Sequence, residues 1–208
     1  MEFLNFRSDN TEAGVWPDAA TFPLDVVLPR QTHTCRVGII ETPEDARQEF
    51  ADTDALISFC RRLRIGVRTA DCVPVLLHAP DIGAVAAVHA GWKGSLGGIL
   101  TNALDILCER GADMRLLKAG FGPSVCGSCY EVSRELANLF ADSGFSDCIT
   151  GERNLDLEAV NTQRLLAAGV LRSNISPSVA CTMQTPSLPS WRRDAGTQVR
   201  LLTYIMLL

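Results

Sequence analysis

Three histidines are all that this chain carries: His33 in RQTHT, His78 in LLHAP and His89 in VHAGWKG. With Cys72 in TADCVPVLL, two of them frame a possible site. Two imidazoles and a thiolate, with the fourth position left to water, are an accepted ligand set for catalytic zinc, whereas a closed structural site needs four protein ligands. His33, Cys72 and His89 lie far apart in sequence, so only tertiary folding can join them, unlike the paired ligands of a zinc finger. The residues by themselves leave two readings open, a metal centre or a core cysteine with two incidental histidines. A third makes Cys72 a nucleophile with His89 as its base and Asp71 nearby.

Other reactive groups carry weaker signals. His78 precedes Ala-Pro-Asp-Ile-Gly, a turn composition, and marks a strand end. Cys126 and Cys129 form a lone CxxC, without a second pair or a neighbouring histidine, and are read as lining the start of a helix. Asp71, Lys93, Arg192, Arg193 and Asp194 are solvated surface charges by default.

The elements that must position these residues are legible as apolar runs. LDVVL, CRVGIIE, DALISFC, RIGVRTADCVPVLLHA, GAVAAVHA, RLLKAGFG, PSVACT and VRLLTYIMLL read as strands, several of them apolar throughout and therefore covered on both faces. His89 ends one such run, at a turn into a helix where a side chain can face a pocket. Helical spacing predicts one helix from Ser95 to Arg110 closed by Gly111, a second capped by Ser133 and stopped by Gly144, and a third over residues 154–170 closed by Gly169. Strands and helices interleave without strict βαβ alternation, which predicts an α+β fold with a mixed sheet layered with helices.

At 208 residues, 47% hydrophobic and 21% charged, the chain has the composition of an ordinary globular protein, and residues 1–208 are expected to form a single domain. A net charge of -5 leaves no basic field for a polyphosphate backbone, so no nucleic-acid partner is expected. The N-terminus has no basic segment followed by an apolar one, and no apolar stretch is long enough to span a membrane, so a cytoplasmic protein is expected. Eight cysteines are scattered without framework spacing and are read as free thiols. Neither composition nor spacing fixes the oligomeric state.

Taken in order, the motifs resemble the laccase-domain family, once called multicopper polyphenol oxidoreductases and now described as YfiH-type purine nucleoside phosphorylases. RQTH is similar to its Gln-x-His-Gly, TADCVPVLL to its Thr-Ala-Asp-Cys-x-Pro, and AVAAVHAGWKG to its His-Ala-Gly-Trp-Arg-Gly. GFGPSVCGSCYEV resembles its Gly-Pro-x-Ile-Gly…Tyr-Glu-Val, while LDLEAVNTQRLLAAGV and SWRRD resemble its C-terminal signatures. Thr34 stands where the family usually has Gly, Lys93 where Arg is usual, and Trp191 replaces the common Tyr. The region before about residue 25 has no counterpart in these motifs.

The resemblance implies that His33, Cys72 and His89 are the metal ligands and the catalytic centre, with Zn2+ as cofactor. It further implies a cysteine-hydrolase-like layered scaffold and two activities, phosphorolysis of adenosine, inosine, guanosine or methylthioadenosine, and deamination of adenosine. A purine nucleoside and phosphate would then be the small-molecule partners. Phosphate needs cations, and Lys93 is one candidate because it lies at a turn opening a helix, where backbone N–H groups also favour anions. Arg192 and Arg193 are the others. A His2Cys set is also the blue-copper ligand set, so copper binding in vitro is conceivable. Three histidines are nevertheless too few for the copper cluster that reduces oxygen in true multicopper oxidases, and a native laccase function is not expected.

Overall fold

The computed structural model describes residues 4–22 and 25–208. The chain runs β1 (Thr11–Trp16), β2 (Val37–Ile40), β3 (Ala55–Ser58), β4 (Ile65–Thr69), β5 (Val73–Ala79), β6 (Ala84–Ala90), α1 (Trp92–Gly97) and α2 (Ile99–Glu109). It continues with β7 (Lys118–Phe121), α3 (Arg134–Phe140), β8 (Ile149–Thr150), β9 (Asn154–Leu155), α4 (Leu157–Ala167), β10 (Ile175–Ser176) and β11 (Leu201–Leu207). A six-stranded mixed sheet has the order β10-β7-β5-β6-β3-β2, parallel at its two outer pairs and antiparallel within. A three-stranded antiparallel sheet, β1-β11-β4, lies against it, and β8 and β9 form a small hairpin.

The apolar strands are explained by three layers. Val75 and Leu77 of β5 and Ala86 and Val88 of β6 pack with Leu100, Leu104 and Leu107 of α2 and Val160 and Leu165 of α4. The alternate residues Leu56, Leu76, Val85 and Ala87 turn to the other face and meet Ile65, Val67, Ile205 and Leu207 of the smaller sheet. Because both faces of the central strands are covered, the period-two alternation of polar and apolar residues disappears, and β5 and β6 are buried from end to end. The expected α+β architecture is what the chain adopts.

Several boundaries differ from the sequence reading. The run of residues 64–79 is not one strand but two, β4 and β5, which belong to different sheets and are joined through Asp71 at φ 84. The helix expected from Ser95 to Arg110 begins earlier and is two helices, because Gly98 at φ 90 ends α1 and opens α2. Neither LDVVL nor PSVACT forms a strand: Val27 makes only a bridge to Ile65, Cys181 only a bridge to Ser124, and Leu24 lies outside the described residues. Ser133 caps α3 as expected, although α3 ends at Phe140, short of Gly144, and the third helix begins only at Leu157, capped by Asp156, because Asn154–Leu155 form β9. Ser133 Oγ accepts from Leu136 N at 3.2 Å, and Asp156 Oδ1 accepts from Ala159 N at 2.9 Å.

Candidate metal centre

Asp54, at the head of β3, organises two of the three candidate ligands. Its carboxylate accepts the backbone N–H groups of Thr32, His33 and Thr34 at 3.2, 3.0 and 2.7 Å, and the Thr34 hydroxyl at 2.8 Å. The loop wraps around that anion, with His33 in the left-handed region at φ 63. The same carboxylate takes Nδ1–H of His89 at 2.7 Å, while His89 N donates to the Asp54 carbonyl at 2.8 Å. With Nδ1 engaged, Nε2 of His89 is the nitrogen left for the cleft, the carboxylate–histidine arrangement found behind metal ligands.

Cys72 is presented by the break between β4 and β5. Asp71, whose positive φ makes that corner, is fixed by Thr182 Oγ1 on Oδ1 at 2.6 Å and by Arg192 N on Oδ2 at 2.9 Å. Its carbonyl accepts from Val125 N at 3.0 Å. Asp71 is therefore a buried brace and not a solvated charge. Gly91 completes the approach, since a Cβ there would stand 3.0 Å from both Cys72 Sγ and His33 Cδ2.

The ligand atoms of His33, Cys72 and His89 all lie within 4.8 Å of one another, with Cys72 Sγ 4.0 Å from His33 Nε2. The two imidazoles stand edge to face, their centroids 4.9 Å apart. A tetrahedral zinc bonded at about 2.3 Å to sulfur and 2.0 Å to nitrogen would hold these atoms somewhat closer, a change within side-chain rotation. Burial alone would raise the Cys72 thiol, but the charges and hydrogen bonds of His89 and His33 outweigh it and bring the thiol down to about 6. Burial likewise opposes charge on His89, and the Cys72 thiolate and Asp54 overcome it, lifting the imidazole to about 9. The metal-free pair is thus a Cys72 thiolate beside a charged His89, and a borderline-soft cation would take the thiolate and replace the His89 proton.

A cleft of about 1060 Å³ opens over the trio. Its walls include Gln31, Arg68, Tyr130, Trp191, Arg192 and Arg200. Gln31 is a clamp, donating from Nε2 to the Arg68 carbonyl and accepting Arg68 N, both at 2.8 Å. The Arg192 guanidinium lies 4.5 Å from the Tyr130 ring centroid and donates to the Glu131 carbonyl at 2.6 Å. Arg200 stacks on Trp191 at 5.3 Å.

Of the sequence candidates, His33, Cys72, His89 and Arg192 come together in this cleft. Lys93 does not: it is exposed on α1, its Nζ 5.6 Å from the Trp92 ring centroid, and is not part of the cleft wall. Arg193 turns the other way, donating to the carbonyls of Thr182, Thr185 and Leu188 and pairing with Asp194 at 2.7 Å, so it staples the C-terminal loop. His78 is buried at the far end of β5, its Nδ1 2.6 Å from Ser8 Oγ. Cys126 opens a single 3-10 turn, Gly127–Cys129, instead of a helix. Asp54, Gln31 and Tyr130 were missed by the sequence reading. Gln31 and Tyr130 stood within the motifs RQTH and GFGPSVCGSCYEV without a role assigned, and Asp54 showed only as an acid placed directly before a largely apolar strand.

Comparison with known proteins identifies relatives of the chain and of its fold. Residues 14–208 match the family described as multi-copper polyphenol oxidoreductase laccase. A protein named adenosine deaminase RL5, from an unknown prokaryotic organism, is 40% identical over 171 residues, 76% of this chain and 65% of that protein. The chain therefore spans just under two thirds of that relative. Purine nucleoside phosphorylase ORF3 of Streptomyces griseus is 35% identical over 188 residues, covering 89% of this chain and 75% of the relative. The crystal structure of the hypothetical protein YfiH from Bacillus licheniformis superposes with a TM-score of 0.82 at 31% identity, covering 88% of this chain and 74% of that one. Its ordered motifs, its layered fold and these matches lead to one assignment: the chain belongs to the multi-copper polyphenol oxidoreductase laccase family.

Proposed function

We propose that the chain is a zinc-dependent purine nucleoside phosphorylase with adenosine deaminase activity, working at His33, Cys72 and His89. The observation that carries this reading is the trio at the floor of a cleft whose walls supply both aromatic faces and guanidinium groups. Relatives named adenosine deaminase and purine nucleoside phosphorylase support the substrate class. Zinc held by two imidazoles and a thiolate would supply a Lewis acid with one open position. Asp54 keeps His89 in the tautomer that offers Nε2.

Phosphorolysis places a phosphate against a glycosidic carbon that becomes oxocarbenium-like, and the cleft meets that charge with arginines. Arg192 is held flat by Tyr130 and Glu131, so little ordering remains when an anion arrives. Arg68 and Arg200 share the wall. Trp191 and Tyr130 offer faces on which a purine can stack. Lys93 and Arg193 are not needed for this role.

Product analysis tests the proposal. Metal-quantified protein is incubated with adenosine, with and without phosphate. Phosphate-dependent adenine and ribose 1-phosphate, lost in His89→Ala, are expected, with inosine marking the deaminase branch. Arg192→Ala should raise the KM for phosphate by about tenfold or more, the scale of one charge-assisted contact, while Lys93→Ala leaves it unchanged. A folded, zinc-loaded protein that yields neither adenine nor inosine would remove the purine reading.

One observation favours a second reading. Cys72, His89 and Asp54 stand in the order of nucleophile, base and orienting acid, with the thiol lowered and the imidazole raised. A cysteine hydrolase would be inactivated by thiol alkylation in metal-free protein and indifferent to zinc removal.

A further inference from the structure

Away from the cleft floor, a second set of soft donors converges. Cys126 and Cys129 belong to the turn before α3, and Cys181 arrives from the C-terminal segment, so that the three sulfurs all lie within 4.8 Å of one another. Backbone contacts fix the meeting. Ser124 and Cys181 form a parallel β-bridge, Thr182 N donates to the Ser124 carbonyl at 3.0 Å, and Cys126 N donates to Cys181 Sγ at 3.3 Å. Ser128 Oγ lies 3.3 Å from Cys126 Sγ, and Gln184 Nε2 donates to Cys129 Sγ at 3.4 Å. All three cysteines are half-buried free thiols, within reach of an ion from solvent.

We propose that Cys126, Cys129 and Cys181 form a second metal site, separate from the histidine centre, for a thiophilic d10 cation, Zn2+ or Cu+. Sulfur is the only ligating atom of these three residues, which selects against magnesium, calcium and manganese and for soft ions. Sulfurs bonded to one ion at about 2.3 Å sit just under 4 Å apart, so the cluster needs only small side-chain rotations to close. Three sulfurs at this spacing would repel one another once ionised, so a bound cation is what lets all three ligate together. A trigonal sulfur set satisfies Cu+, whereas Zn2+ takes a fourth donor, which solvent can supply at these half-buried residues. The site would also brace the cleft. Thr182, next to Cys181, is the residue that donates to Asp71, and Asp71 makes the corner that presents Cys72.

The test uses the whole chain, reduced, metal-depleted and kept free of oxygen. Titration with Zn2+ should show a second equivalent bound beyond the one at the histidine centre. Titration with Cd2+ reports the Cd–S bonds directly: the charge-transfer band should fall at least twofold in Cys126→Ser/Cys181→Ser, because two of the four thiolate bonds are removed outright, and about fourfold once Cys129 alone no longer holds the ion. A parallel titration with Cu+ against a competing chelator decides which ion binds more tightly. Stoichiometry in the unaltered chain needs no variant, so a poorly folding variant would not obscure the result. Uptake of a single equivalent, lost in Cys72→Ser, would overturn the proposal. So would reduced protein that takes up no second ion yet forms a Cys126–Cys129 disulfide on reoxidation, since the cluster would then be a redox pair.

Discussion

Asp54 is the residue on which the centre depends. One buried carboxylate gathers the His33 loop and sets the His89 ring, so it controls two ligands without reaching the cleft itself. Burial would raise its carboxyl, but His89 and the Thr34 N–H and hydroxyl outweigh that and hold it at about 2, below the ordinary 3.8. A depressed carboxyl contributes stability that is full above its unfolded value and is lost as pH falls through the folded one. The shift corresponds to about 2 kcal/mol. Acid titration of the metal-free protein should accordingly show stability falling between about pH 4 and pH 2, and denaturation of Asp54→Asn should lack most of that step. The same variant should lose about 10- to 100-fold in zinc affinity, the usual scale for a partner behind a metal ligand. Unchanged affinity, measured by chelator competition, would show that the ligands hold their geometry without it. The residue types alone left the trio open between a metal centre and a core cysteine with incidental histidines, and the ordered motifs singled it out as the candidate ligand set, but Asp54 was not legible at all. Its role is made entirely of contacts across tens of residues.

At the level of elements, the site exists because two apparently continuous segments are broken. An apolar run gives no hint that it changes sheets midway, and residues 64–79 read as one strand although Asp71 turns the chain so that Cys72 faces the histidines. Gly98 does the same for the helix that follows His89. Its φ of 90 separates α1 from α2, and Arg164 then reaches into the junction, donating to the Ser95 and Leu96 carbonyls at 2.9 and 3.0 Å. A Cβ at Gly98 would meet only ordinary contacts, so Gly98→Ala tests the backbone alone. It should destabilise the fold by about 1 kcal/mol, read as a lowered denaturation midpoint with an unchanged slope. No loss would mean that the junction relaxes to a right-handed conformation. β1, TEAGVW, is half-buried to exposed along its length and carries no apolar run, which is why it went unread while the wholly buried β5 and β6 were plain.

Across the whole molecule, the six-stranded sheet is a partition. Its helical face packs on α2 and α4, and its opposite face, which His89 shares with Val85 and Ala87 by the alternation of β6, rests on the smaller sheet that ends in the Cys72 corner. The cleft lies where the two sheets separate. Leu76 is fully buried between them and is itself no part of the trio, so Leu76→Ala should cost about 2–5 kcal/mol in denaturant unfolding while leaving zinc stoichiometry intact. A loss of zinc binding in the folded variant would show that the packing between the sheets, and not the local hydrogen bonds, sets the ligand geometry. The most direct measurement of the central claim is to restore zinc stepwise to metal-depleted protein while following phosphate-dependent release of adenine from adenosine. The rate should rise with occupancy of the His33, Cys72 and His89 centre and stay at background in Cys72→Ala. Turnover by the metal-free protein, or full occupancy of that centre without adenine, would contradict the account.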